Sequence, residues 1–184
     1  MKAIVLTEEA QTVAETAGDP QLLEHYKGQF RPVTALVEGL SEIADTDVYI
    51  LSDEYGLCEG QSTLSEVDGK STGDLQQDSQ KVLRDAVPEA DVVVLLLTKS
   101  AFMNMVEPIW DELVKATKRD AIWGLGLPRS ALNSVDTDSL RAKSDLYVYR
   151  RSGVARLGTE TREQLLAAVK EYSRDLSQDS TVGS

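Results

Sequence analysis

At 184 residues, with 41% apolar and 27% charged side chains, the chain has the size and composition of one soluble globular domain with a full hydrophobic core. It carries 19 basic against 31 acidic residues, a net charge of −12. That balance argues against general nucleic-acid affinity at low salt and fits the hydrated acidic coat of a halophilic protein. One cysteine, Cys58, and one histidine, His25, exclude an internal disulfide and leave a metal site without its usual ligands.

The elements alternate along the chain. Lys2 to Leu6 reads as a first strand, and Gly18-Asp19-Pro20 breaks the polar stretch after it. Leu22, Leu23 and Tyr26 suggest a short helix. A stronger one follows Pro32, with Val33, Leu36, Val37 and Leu40 at helical spacing. Asp47 to Ser52 is a second strand, and Gly60 to Asp78 is a polar excursion long enough to suggest a functional loop. Gln77 to Val87 reads as helix. Asp91 to Thr98 is an almost wholly apolar third strand, as expected at the centre of a sheet covered on both faces.

Met105 to Lys118 is expected to be one helix with Pro108 in its first turn, followed by a fourth strand from Ala121 to Leu125. A turn or two of helix is expected over Asp138 to Lys143. Leu146 to Arg150 and Val154 to Leu157 flank Arg151-Ser152-Gly153 as a candidate hairpin. A last helix starts near Thr159 or Thr161, where Thr161 and Gln164 could form a capping box, and Leu165, Leu166, Val169, Tyr172 and Leu176 form its stripe. The pattern predicts a single three-layer α/β domain over 1–176, with a mostly parallel sheet flanked by helices and a disordered tail over 177–184. The longest apolar run, Val92 to Leu97, is far short of the roughly 18 residues of a membrane span. Without that span or a signal-peptide pattern, the expected location is the cytoplasm.

In open α/β sheets ligands gather beyond the carboxyl ends of the strands. That rule selects Thr7-Glu8-Glu9, Ser52 to Leu57, Thr98 to Asn104 and Gly124 to Ser130. Ser52 and Tyr55 offer hydroxyls, and Gly56 permits a turn or a close ligand approach. Gly124-x-Gly126 suggests a tight turn after the fourth strand, or backbone amides bent around an anion.

The pairing of Tyr26-x-Gly28 with the later Leu51-Ser52-x-x-Tyr55-Gly56-Leu57 resembles the YaaA-like superfamily, which holds peroxide-stress proteins and smaller relatives. The resemblance spans roughly residues 1 to 70. It implies nucleotide, nucleobase or nucleic-acid recognition, in DNA-damage protection or modified-base metabolism. Its implied pocket holds Tyr26, Gly28, Arg31, Ser52, Tyr55 and Gly56, closed by Asp68. Tyr55 would stack on a base, Arg31 would meet an anion, and Asp68 or Ser52 would exchange hydrogen bonds. Two departures stand out. Glu66-Val67 replaces the relatives' proline-tyrosine before the acid, and Thr7-Glu8-Glu9 replaces their cysteine- and lysine-bearing first loop, which favours recognition over catalysis.

Other constellations give alternatives. Glu107, placed near the start of the helix after the third strand, could stabilise an oxocarbenium-like centre, as in TIR-like or deoxyribosyltransferase-like enzymes, with Asp68 a second weak catalytic candidate. Cys58 and His25 form a conceivable nucleophile pair, although a small half-buried thiol and a surface histidine explain both more simply. Arg150 and Arg151 lie in a segment, Arg129 to Arg156, where six basic residues meet three acids, and could reach phosphates. No cofactor and no metal are expected. A nucleotide or nucleic acid is the expected partner, with a protein partner bound by the acidic surface as the alternative.

Overall fold

The computed structural model describes residues 1–8, 31–52, 56–60, 74–150 and 159–182, with the side chains of 31, 32, 149, 150, 159 and 176–182 outside the description. Strand β1 runs from Lys2 to Glu8, and helix α1 spans Arg31–Ser41. Then come β2 (Asp45–Ser52), β3 (Gly56–Glu59) and α2 (Leu75–Ala86). Strand β4 (Val92–Leu96) leads into α3 (Lys99–Met105), a 3-10 turn over Glu107–Ile109 and α4 (Trp110–Ala116). Strand β5 (Ile122–Leu127), the short helices α5 (Arg129–Leu132) and α6 (Thr137–Arg141), β6 (Asp145–Arg150) and α7 (Thr159–Val182) complete the order.

The six strands form one sheet in the order β3-β2-β1-β4-β5-β6. Every pair is parallel except β2–β3, which is antiparallel. Alternate residues of the central strands feed two separate cores. Ile4, Leu6, Val93 and Leu95 pack with Leu83, Phe102, Trp110 and Trp123 beneath α2, α3 and α4. Ala3, Val5, Val92 and Val94 pack on the opposite face with Leu36, Leu40, Leu165 and Val169 of α1 and α7. This is why β4 reads as an unbroken apolar run: both of its faces are covered.

Several expectations are revised. The helix expected from Met105 begins at Lys99, where the Thr98 hydroxyl accepts the Ala101 amide, and Pro108 interrupts it in a 3-10 turn. Pro108 has no amide to continue the ladder, so the interruption falls where the backbone chemistry requires it. Gly124 and Gly126 lie inside β5, in register with Val94 and Leu96 on one side and Tyr147 and Tyr149 on the other; they form neither a turn nor an anion loop. The segment expected to open a hairpin at Leu146 is the parallel edge strand β6; its proposed second arm lies outside the described residues. Helix α7 continues to Val182, past the expected start of a disordered tail.

One carboxylate ties the amino-terminal end of the sheet together. Asp91, only 8% exposed, accepts the Lys2 amide at 2.9 Å, the Lys118 ammonium at 3.4 Å and the Tyr172 hydroxyl at 3.3 Å. It thereby joins the start of β4 to β1, to the chain after α4 and to α7. Burial alone would raise its pKa; the Lys2 amide, the Lys118 charge and the Tyr172 hydroxyl outweigh that and hold it below the usual carboxylate range.

Candidate functional site

The strand order sets where a ligand can lie. From β1 the chain moves to β2 on one side, then returns past β1 to β4 on the other. A crevice opens at such a switch point, between the loops that leave in opposite directions. The residues that bound it are the ends of β1, β2 and β4. Register places Glu8 opposite Leu51, so Ser52 stands one residue beyond it on β2. Thr7 is opposite Leu96, so Thr98 stands two residues further on after β4.

Glu8 and Thr98 meet directly across this point. The Thr98 amide donates to Glu8 Oε2 at 3.1 Å, and the Thr98 hydroxyl donates to Oε1 at 2.8 Å. Residues ninety positions apart therefore form a two-pronged contact, with the carboxylate part-buried. A carboxylate oxygen has two acceptor lone pairs, and Thr98 takes one from each. Thr7, immediately before Glu8, is 1% exposed, and so is Ser52. The described strand ends here are therefore polar, and Glu8 and Thr98 are joined across them.

Of the sequence-derived site residues, Ser52 and Gly56 are brought together. They pair across the antiparallel β2–β3 bend, and Gly56 adopts φ 79°, a left-handed conformation that suits glycine. Gly56 and Leu57, the end of the strand-end segment read from Ser52 to Leu57, instead open the edge strand β3, with Cys58 5% exposed and its thiol directed at the Gly56 carbonyl, 3.6 Å away. Glu107 does not stand at the strand ends: it opens the 3-10 turn after α3, half-buried on the helical layer. Arg31 is the first residue of α1 and Arg150 the last of β6, but their side chains lie outside the described residues. Tyr26, Gly28, Tyr55, Asp68, Arg151 and His25 are also outside them. Within the basic segment, Lys143 is committed to structure, donating to the Val114 and Lys115 carbonyls at the end of α4.

Apart from the antiparallel edge strand β3, the order β2-β1-β4-β5-β6 is that of the flavodoxin-like doubly wound class, and the fold is α/β of that type. No protein-family model matches the chain, and no curated protein matches it. Among solved structures it is similar to a diflavin flavoprotein A3 from Nostoc sp., at 10% identity over 100% of this chain and 98% of that one, with a TM-score of 0.48. It is also similar to a flavodoxin from Streptococcus pneumoniae TIGR4, at 12% identity over 95% and 99% of the two chains, with a TM-score of 0.41. These matches are flavodoxin-type proteins, so the labels YaaA-like and nucleotide-binding drawn from the sequence are corrected to a flavodoxin-like fold.

The fold class implies a flavin mononucleotide at the switch point. The turn after β1, where such a phosphate lies in this fold class, is outside the described residues. The Thr98 amide and hydroxyl, donors that could face an anion, already hold the Glu8 carboxylate. No helix among the described residues is long and apolar enough to cross a membrane, and no group of three His, Cys, Asp or Glu among them could hold a metal ion.

Proposed function

We propose that the chain is a recognition protein of the cytoplasm that binds an uncharged, N–H-bearing heterocycle of the nucleobase class in the crevice between β1, β2 and β4. The observation that carries this reading is the Glu8 carboxylate, held in place by Thr98 at the switch point. A fixed carboxylate is an acceptor for ring and exocyclic N–H groups, and the bond is strong because the acceptor is charged. The same charge discriminates against phosphates, so the ligand is the base or nucleoside and not its phosphorylated form.

A thermal-shift panel tests this. Free bases and nucleosides should raise the melting temperature with concentration, by an amount that at a hundredfold excess over Kd corresponds to about 2.7 kcal/mol. The matching 5′-monophosphates and flavin mononucleotide should shift it less. If the monophosphates stabilise more than the nucleosides, or if neither class shifts the melt, the reading fails.

A further inference from the structure

A cavity lies at the amino-terminal end of the sheet. It has a volume of about 420 Å³ and sits between α7 and the starts of β5 and β6, where Ile122 and Asp145 open their strands. That volume is within the usual small-molecule range of roughly 300–1,000 Å³. Two tyrosines, Tyr147 of β6 and Tyr172 of α7, contribute aromatic surface to its wall. Asp120, Asp145, Glu171 and Asp175 stand around them, and the lining includes neither lysine nor arginine among the described residues.

We propose that this cavity binds a small organic cation, an alkyl amine or diamine, with its ammonium against the tyrosine rings and its stem along Ile122 and Ala168. Two independent features of the lining select that class. Aromatic faces attract an ammonium through their quadrupole, and strongly hydrated inorganic ions gain little from them. The carboxylates supply charge-assisted acceptors for its N–H groups, and the apolar lining takes its methylenes. The two phenols report the same field: burial, then Asp145 and Glu171, raise the pKa of Tyr147, while burial, then Asp91 and Asp120, raise that of Tyr172. Both phenols therefore stay neutral well above physiological pH. The cavity is remote from the Glu8 crevice, so this proposal stands or falls independently of the proposed function.

Calorimetric titration of the full chain with 1,4-diaminobutane, at fixed ionic strength, tests it. Saturable one-site binding is expected, weakened about tenfold by the double substitution Asp145→Asn/Glu171→Gln and several-fold by Tyr147→Leu. Both acids are exposed, so the double variant keeps the fold, which its circular dichroism melt verifies. A titration with magnesium alone separates a specific site from a counterion atmosphere. The proposal is overturned by non-saturating binding, by equal affinity in the double variant, or by magnesium binding as tightly as the diamine with Tyr147→Leu without effect.

Discussion

Replacing Asp91 with alanine removes an acceptor shared by three parts of the fold. Its carboxylate takes the Lys2 amide at 2.9 Å, the Tyr172 hydroxyl at 3.3 Å and the Lys118 ammonium at 3.4 Å. The amide bond to a charged acceptor contributes about 1.5–3 kcal/mol, and the longer hydroxyl bond about 0.5–1 kcal/mol. The Lys118 side chain is 42% exposed, so screening leaves its ion pair worth no more than about 1 kcal/mol. Asp91→Ala is therefore expected to destabilise the protein by about 2–5 kcal/mol, and Asp91→Asn, which keeps one acceptor oxygen, by roughly half of that. Urea unfolding followed by tryptophan fluorescence measures it, as a lower midpoint with an unchanged slope.

The pH dependence supplies an independent check on the same residue. Because the folded pKa of Asp91 lies below its usual value, its contribution is fully present above about pH 5, where the unfolded chain's carboxylate is almost wholly ionised. It is lost as pH falls through the depressed folded value. The stability difference between the wild type and Asp91→Asn should therefore be constant from neutral pH down to about 5 and shrink below it. A wild-type-like urea midpoint for Asp91→Ala, or a difference that grows on acidification, would refute the reasoning.

Gly56→Ala places a side chain at φ 79° and should cost about 1–2 kcal/mol in a urea melt, loosening the Ser52 end of β2. Gly39→Ala is expected to be close to neutral, because the added Cβ would meet only the mobile methyls of Leu166 at 2.8 and 3.0 Å, which can turn aside; Gly39→Leu should separate α1 from α7 and lower the melting temperature clearly. Arg84→Ala removes an ion pair to Glu112 whose partners are 48% and 59% exposed, so its thermal melt should match the wild type within about 0.5 kcal/mol.

The central fold was legible in the sequence because its signals were physical and local. The apolar run of β4 and the helical spacing of Val33, Leu36, Val37 and Leu40 each have one simple structural solution, and both are buried as read. What escaped were features decided by tertiary contact. The Thr98 cap that starts α3 resembled loop chemistry because its strand-to-helix turn is so short. The glycines of β5 suggested a turn, yet the strand is fully buried and pairs on both sides, so the sheet overrides their conformational freedom. β3 is four residues long, below what alternation can reveal.

The site was half legible. Strand-end logic selected the segments around Glu8, Ser52 and Thr98, but nothing local couples Glu8 to a threonine ninety positions away. The usable signal was positional: an acid, Glu8, stands at the carboxyl end of the first strand. Asp91 carried no comparable signal, since a single acid at a strand's start is ordinary. Its role appears only when β1, β4 and α7 are assembled.

The claim that Glu8 makes the switch-point crevice a reader of uncharged bases is tested most directly by measuring Kd for a nucleoside and its 5′-monophosphate, on the wild type and on Glu8→Gln. The wild type should favour the nucleoside. Glu8→Gln, which keeps the shape but removes the charge, should weaken nucleoside binding about tenfold and narrow the gap to the monophosphate. Tighter binding of the monophosphate by the wild type, or unchanged nucleoside affinity in Glu8→Gln, would contradict it.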